Sequence, residues 1–172
     1  MKTIDQWLAE YQESHQNKTN KLFHWVCVPI IMWTVIALLW SIPHDYLSTM
    51  IGGEAGTFFN WATIAMVLAS MFYLRLSFTM FLGMTLVSVV MLIATYFIAQ
   101  LTFAPLWAIA LAAFVIAWIG QFIGHKIEGK KPSFFKDLQF LLIGPAWLLS
   151  FIYDKIGISY SSAPATPAEN AA

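Results

Sequence analysis

The chain has 172 residues, of which 59% are hydrophobic and only 10% are charged, whereas soluble domains have roughly 45–50% apolar and about 25% charged residues. Nine basic and nine acidic side chains give a formal net charge of zero, so an electrostatic interaction with nucleic acid is not expected. The sequence therefore indicates a single membrane domain over about residues 1–157 rather than a soluble protein.

The chain begins with a segment that predicts a short helix over about residues 3–15. Asp5, Glu10 and Glu13 lie in or next to it, and no short apolar core followed by a small-residue cleavage site is present. We therefore expect that this segment is not a cleaved signal peptide.

Long apolar runs follow this segment and predict membrane spans. Residues 22–42 are uncharged, and as a helix they extend about 31 Å, which matches a hydrocarbon core of roughly 30 Å. Between residues 55 and 124 the one charged side chain is Arg75, and a run of that length must fold back on itself. The predicted spans are about 22–42, 58–74, 77–99 and 104–124.

A fifth apolar run covers residues 138–153, about 24 Å as a helix. Because Gly144-Pro145 interrupts it, we expect it to be short, re-entrant or interfacial. Residues 158–172 are rich in Ser, Ala, Pro and Asn, a composition that predicts a disordered tail.

Basic residues set the predicted orientation, since Lys and Arg are retained on the cytoplasmic side. With the N-terminus inside, all but Lys155 of the Lys and Arg residues fall in cytoplasmic connections or segments. The predicted fold is thus an all-α polytopic membrane helix bundle with four to five hydrophobic helices and a cytoplasmic N-terminus. A bacterial inner membrane and an endoplasmic reticulum membrane fit this charge pattern equally well.

Three of the four histidines, His15, His24 and His125, lie at the predicted cytoplasmic face, whereas His44 lies in a loop at the opposite face. His15 and His24 would occupy opposite sides of one unbroken helix, so their convergence requires a bend between them. Asn20 is the predicted N-cap of a membrane helix that starts at Lys21.

Gln121, His125 and Glu128 are spaced i, i+4, i+7 and share one helix face. Together with His15 and His24 they offer three imidazoles and one carboxylate, a ligand set suited to Fe(II), Zn(II) or Mn(II). Two alternatives stay open: interfacial histidines often serve as hydrogen-bonded anchors, and Glu128 can pair with the neighbouring Lys130 or Lys131 in solvent.

Several site types are not supported by the sequence. The single cysteine, Cys27, excludes an internal disulfide and an iron–sulfur cluster held by this chain alone, and it is expected to be a small buried residue. No phosphate-binding glycine loop, nucleophile elbow or dinucleotide fingerprint occurs, which argues against an ATPase or a serine hydrolase.

Three motifs carry a family resemblance: Tyr11-x3-His15-x4-Asn20-x3-His24-x4-Pro29, Gln121-x2-Gly124-His125-x2-Glu128-x3-Pro132 and Leu141-Leu142-x-Gly144-Pro145. In combination they resemble the small membrane proteins typified by the fungal 2-hydroxy fatty acid dioxygenase of phytosphingosine breakdown. The resemblance implies an Fe(II) enzyme that uses O2 to shorten a 2-hydroxy fatty acid by one carbon. It also implies that the iron ligands are His15, His24 and His125. Glu128 is a further predicted ligand, inferred from its spacing alone.

Other polar residues near the motifs suggest supporting roles. Lys126, Lys130 and Lys131 are candidates to attract the substrate carboxylate, while the acyl chain, entering from the bilayer, would lie among the apolar helices. The residues predicted to orient metal ligands are Asn20, Gln121 and Asp137.

Two other functional classes compete with the dioxygenase. His24 and His125 could be the axial ligands of a b-type haem in an electron carrier, or the polar residues could only anchor helices in a non-catalytic lipid-binding scaffold. A transporter ranks last, because no ionisable residue is predicted at the bilayer midplane. The sequence leaves the substrate chain length, an electron source and the oligomeric state open.

Overall fold

The computed structural model describes residues 2–129 and 140–161, and every regular element within these ranges is a helix. The predicted all-α fold is therefore confirmed. The elements are α1 (Ile4–Gln12), α2 (Lys18–Trp40), α3 (Asp45–Ile51), α4 (Gly53–Gly56), α5 (Trp61–Leu76), α6 (Phe78–Ala99), α7 (Leu106–Glu128) and α8 (Ile143–Ile156).

Helices α2, α6 and α7 are each long and apolar enough to cross a bilayer, and α5 is a shorter apolar helix of 16 residues. Their outer faces expose large apolar side chains such as Leu86, Val90 and Ile116. An apolar outer surface of this extent is stable when lipid rather than water surrounds it. The architecture fits a membrane protein, while the cytoplasmic placement of the N-terminus stays a prediction.

Helix α2 begins earlier than predicted, and its N-cap is Asn17 rather than Asn20. The Asn17 side chain accepts hydrogen bonds from the backbone N–H groups of Thr19 and Asn20, which would otherwise lack partners in the first turn. Asn20 is completely buried inside the helix. Both asparagines can cap a helix, and the turn that follows α1 selects the first of them.

The prediction that Gly144-Pro145 interrupts the fifth apolar run is wrong, because both residues belong to helix α8. These residues lie in the first turn of α8, where a proline is tolerated because its missing N–H would have no intrahelical partner. Most of the helix is buried within the protein, including Ala146, Trp147 and Leu148. The fifth apolar run thus forms a short helix that packs in the protein core.

Helix α1 lies against α8. Its buried residues Ile4, Leu8 and Tyr11 are spaced i, i+4, i+7, so they form one apolar face, and this face joins a core cluster that includes Trp147 and Met80. A capping box in which the Thr3 and Gln6 side chains bond each other's backbone N–H groups starts the helix. This packing directs the end of α1 toward the start of α2.

Helices α2 and α7 run antiparallel and form the most extensive helix pair. A Cβ atom at Gly120 would lie 2.6 Å from Cys27 Sγ, and a Cβ at Gly124 would lie 2.5 Å from Asn20 Oδ1. Any larger residue at either position would separate the helices, so the two glycines permit their close approach. The start of α2 thereby lies level with the end of α7.

Residues 158–161, at the start of the predicted disordered tail, pack against the helices. Ser161 Oγ donates a hydrogen bond to Asp5 Oδ2 at 2.8 Å, and the Tyr160 ring lies 6.0 Å from that of Tyr153. This aromatic contact and the hydrogen bond hold the segment against α1 and α8. The predictions made for residues 162–172 and for Lys130, Lys131 and Asp137 lie outside the described residues.

Candidate metal centre

The three histidines that the sequence placed at one face converge at the end of the bundle where α1, α2 and α7 meet. His15, His24 and His125 are 4%, 1% and 8% exposed, and their rings lie with centroids 4.2 Å (His15 to His24) and 5.2 Å (His125 to each of the others) apart. One ring nitrogen from each lies within 4.8 Å of the other two. Among the described residues, no other group of three possible metal ligands is found, and all three of these histidines are buried.

Backbone carbonyls orient two of these rings. His15 Nδ1 lies 2.5 Å from the carbonyl oxygen of Tyr11, and His24 Nδ1 lies 2.9 Å from that of Asn20. Because a carbonyl oxygen can only accept, each Nδ1 must carry the proton and donate it. In the neutral imidazoles the lone pair is therefore on Nε2.

The two Nε2 atoms face each other at 2.9 Å. Two lone pairs at this distance repel, so a cation between them, either a metal ion or a proton, would stabilise the arrangement. Nitrogens bound to one ion at about 2.1 Å can be no more than about 4.2 Å apart. The Nε2 atoms of His15 and His24 meet this limit, and a ring nitrogen of His125 lies within 4.8 Å of the other two ligand atoms. A carbonyl on the opposite ring nitrogen is the usual outer partner of a metal-bound histidine. The residues present thus fit a metal with imidazole ligands.

Local sequence explains why His15 reaches this position. Helix α1 ends at Gln12, and the His15 N–H then bonds the Gln12 carbonyl at 2.9 Å, which turns the chain back over the helix. The His15 ring stacks on Tyr11, four residues earlier, with centroids 4.1 Å apart and planes 9° from parallel. Trp147 of α8 packs against both rings at 5.5 and 5.3 Å. The His15 ring is therefore packed between Tyr11 and Trp147.

Glu128 lies close to the histidines but outside the group of ligand atoms. Its Oε1 accepts a hydrogen bond from the Gln16 N–H at 2.9 Å, and its Oε2 accepts from the Asn17 N–H at 2.9 Å and from Asn20 Nδ2 at 3.0 Å. Both carboxylate oxygens therefore have protein donors. The carboxylate connects the end of α7 to the start of α2 and to the residue after His15, so it ties together the segments that carry all three histidines.

A cavity of ≈ 50 Å³, which we call the head cavity, adjoins the histidines. Beside them it is lined by Tyr11, Trp118 and Gln121, and apolar residues of α2, of the segment before α8 and of the first turn of α8 close the remainder. Gln121 Oε1 and Trp118 Nε1 are buried and have no hydrogen-bond partner among the described residues. An unpaired acceptor and an unpaired donor in a small cavity indicate that it receives a polar group.

The other predicted site residues divide according to their placement. Asn20 and Gln121 lie at the site: Asn20 bonds Glu128, and its carbonyl holds His24, while Gln121 lines the head cavity. Lys126 is exposed and does not line this cavity. His44 lies at the opposite end of α2, where its Nδ1 bonds the Ile42 carbonyl at 2.9 Å.

Sequence reasoning assigned no role to several residues that build the site. Tyr11 has a detectable signal, because it precedes His15 by one helical turn. The small residues at 120 and 124 form a Gly-x3-Gly pattern, which is typical of close helix contacts in membranes. Trp118 and Trp147 carry no such signal, since one tryptophan among eight cannot be assigned to the site without the fold.

Comparison with known proteins gives one family. A family model described as "Mpo1-like: 2-hydroxy-palmitic acid dioxygenase Mpo1-like" matches residues 1–156, a range that includes all three clustered histidines and Glu128. No curated protein and no solved structure matches the chain.

Proposed function

This chain belongs to the Mpo1-like family, and from that premise we propose that it is an Fe(II)-dependent membrane dioxygenase that converts 2-hydroxy fatty acids, with O2, to fatty acids one carbon shorter. The observation that carries the proposal is the buried group of His15, His24 and His125, with two Nε2 atoms directed at each other. The family description names 2-hydroxypalmitic acid, which supports this substrate class.

The three histidines would hold the iron, and three protein ligands leave coordination positions for substrate and O2, as catalytic metal sites require. When bound, Fe(II) supplies the redox chemistry that activates O2 toward the 2-hydroxy acid. The Tyr11 and Asn20 carbonyls keep His15 and His24 in the tautomer that binds metal. Burial of the rings limits access of water to the reacting groups.

The unpaired groups of the head cavity match the polar end of a 2-hydroxy acid. That end has a hydroxyl, which can donate, and a carboxylate, which accepts. Gln121 Oε1 is an unpaired acceptor and Trp118 Nε1 an unpaired donor. We propose that Gln121 accepts from the 2-hydroxyl group and that Trp118 donates to the carboxylate, which would place the bond to be broken beside the histidines.

Glu128 and Asn20 are positioning residues in this proposal. Each hydrogen bond from a backbone N–H to the Glu128 carboxylate is charge-assisted, and together they fix the turn after His15 relative to α7. The attraction of the substrate carboxylate by Lys126, Lys130 and Lys131, and the part of Asp137, stay predictions.

A haem held by His24 and His125 is less compatible with this geometry. Axial imidazoles bind on opposite faces of the macrocycle, which must fit between them. Here a third imidazole, His15, lies 4.2 and 5.2 Å from the two rings, and the adjoining cavity is only ≈ 50 Å³. The site has room for an ion and small groups.

The test begins with protein purified in detergent without chelators, followed by measurement of its metal content and its absorption spectrum. We expect about one iron per chain, no haem Soret band, and O2-dependent turnover of 2-hydroxypalmitic acid. A His24→Ala/His125→Ala variant should lose both the iron and the turnover while it keeps the helical content of the wild type.

Each other outcome identifies a competing function. An intense Soret band that disappears in the variant would establish the haem electron carrier. Protein that stays metal-free after anaerobic addition of Fe(II), and turns over no 2-hydroxy acid, would overturn the proposal and leave the lipid-binding scaffold.

A further inference from the structure

A second cavity, of ≈ 110 Å³, lies next to the head cavity, between α2, α5 and the start of α8, and we call it the tail cavity. We propose that the acyl chain of the substrate occupies the tail cavity and that three alanines of α5, Ala62, Ala65 and Ala69, limit the chain length that is accepted. This inference rests on the proposed function for the identity of the ligand and extends it to a specificity-determining surface.

The two cavities share part of their lining. The side chains that line both are Met32 of α2, Leu141, which precedes α8, and Pro145 in the first turn of α8, so a movement of these side chains would join one cavity to the other. Met32 is the flexible member of this group, since an unbranched thioether side chain can change rotamer at low cost. The polar end of a ligand would stay near Gln121, which is 7% exposed and carries the unpaired oxygen.

The lining follows one face of α2 over a length suited to a long acyl chain. From His24 through Val28, Met32 and Ile36 to Leu39, successive residues are three or four positions apart, so they form a continuous stripe. His24 and Leu39 are separated by about 22 Å along the helix. An extended chain advances about 1.2 Å per bond, so the stripe is as long as about 18 bonds. The two cavities are smaller than 2-hydroxypalmitic acid, so the Met32 side chain and its neighbours must move aside when the chain binds.

The composition of the tail cavity favours a hydrocarbon. Its walls are almost entirely apolar, and the Tyr73 hydroxyl on its border already donates to the Leu142 carbonyl at 2.6 Å. Alanines on α5 leave the space that larger side chains would fill. A hydrocarbon chain is therefore favoured in this cavity, whereas a second polar group would lose hydrogen bonds there.

A third cavity, of ≈ 130 Å³, offers a different route and supplies the matched control. It also reaches Met32 and Pro145, but it continues between α6 and α8 past Val87. Its rim includes Trp25 and Ile152, which are 41% and 44% exposed, so it opens toward the surrounding lipid. A cavity that is open to lipid does not enclose a substrate tail, so filling it serves as the control.

The first measurement compares Ala65→Phe, which fills the tail cavity, with Val87→Phe, which fills the third cavity. We expect Ala65→Phe to lower the ratio of turnover of 2-hydroxypalmitic acid to that of 2-hydroxyoctanoic acid by about 10-fold or more, since each unmatched methylene in an apolar pocket has an effect of that order. Val87→Phe should leave the ratio unchanged. A ratio that falls only in Val87→Phe would overturn the proposal. If Ala65→Phe does not fold, Ala69→Leu replaces it.

The second measurement does not depend on turnover. 2-Hydroxypalmitic acid with a photoreactive diazirine at its terminal carbon is bound to the wild-type protein, irradiated, and the labelled residues are identified by mass spectrometry. Label on Leu39, Ala62 or Ala65 supports the tail cavity, whereas label on Met84 or Ile152, or no label on the protein, overturns it. Labelled Ala62 without turnover of any 2-hydroxy acid would reject the proposed dioxygenase and keep the acyl site.

Discussion

At the end of the bundle formed by residues 41–60, which we call the far end, polar side chains bond groups close by in the chain. His44 bonds the Ile42 carbonyl, and Ser48 and Thr49 donate to carbonyls three residues earlier. At the opposite end, the histidine end, where α1, α2 and α7 meet, Glu128 bonds Gln16, which is 112 positions away. Local bonds satisfy polar groups without positioning one helix against another, whereas the long-range bonds hold three helices in register. Polar groups with only local bonds are typical of a connecting segment, whereas polar groups that bond across helices are typical of a functional site.

Both ends also contain a histidine, an asparagine N-cap, an acidic residue and a glycine in close contact, so matched substitutions can test the comparison. A change at the histidine end should affect metal binding, and its counterpart at the far end should not.

The largest difference is expected between His15→Ala and His44→Ala. Removing one of three buried imidazoles should lower metal affinity and turnover by more than about 100-fold, the upper range for loss of even an outer partner of a metal ligand. His44→Ala should match the wild type in both. Metal analysis and O2-dependent turnover measure the effect, and a His15→Ala protein that retains stoichiometric metal would contradict the assignment of this ligand.

Glu128→Gln compared with Glu54→Gln should give the next largest difference. The neutral amide keeps the size of the side chain but loses the charge-assisted hydrogen bonds to Gln16 and Asn17, so metal affinity should weaken by about 10–100-fold while helicity is unchanged. Titration with Fe(II) should restore full occupancy. Occupancy that cannot be restored by excess metal would instead make the Glu128 carboxylate a metal ligand.

Gly124→Ala and Gly56→Ala both introduce a methyl group into a close contact. The new Cβ would lie 2.5 Å from Asn20 Oδ1 in the first variant and 2.4 Å from the Ser48 carbonyl oxygen in the second. Overpacking of this kind destabilises by about 1–3 kcal/mol, so each should lower Tm by a few degrees. Only Gly124→Ala should also weaken metal binding, because it separates α2 from α7. Equal metal affinities for the two variants would show that the close contact between α2 and α7 is not needed for metal binding.

The smallest effects are expected for the two N-caps. Asn17 caps α2 and Asn60 caps α5, each by accepting from two backbone N–H groups, so replacement by Ala should cost about 1 kcal/mol in either helix. Thermal unfolding measures this loss. Asn17→Ala should in addition lower metal affinity slightly, since it loosens the turn after His15, and the same reduction in Asn60→Ala would show that the effect is one of general stability.

The convergence of the histidines could be predicted because it follows from topology. Once residues 22–42 and 104–124 are read as membrane helices, His24 and His125 must lie near the same face. The role of Asn20 could be predicted only in part: it was expected both to cap α2 and to orient ligands, and the structure places it inside the helix between His24 and Glu128. Cap selection depends on the turn before α2, which sequence propensity does not resolve.

The prediction for Glu128 shows a second limit. Its spacing from His125 places both on one face of α7, which is compatible with a shared ion. The start of α2 presents two N–H groups and an amide to the same carboxylate, and no pattern in α7 records them. The role of Glu128 as a metal ligand stays a prediction.

The interruption expected at Gly144-Pro145 is wrong, because a Gly-Pro pair breaks a helix interior but is tolerated in a first turn.

The sequence by itself determined the helical class, the approximate positions of the apolar helices and the face at which three histidines gather, because hydropathy and helix length relate directly to bilayer thickness. Only the tertiary structure decided that the histidines point at one another, that Glu128 joins the helices that carry them, and that two cavities meet at Met32. These features depend on contacts between residues distant in the chain, which packing of α1, α2, α7 and α8 creates and which no local pattern specifies.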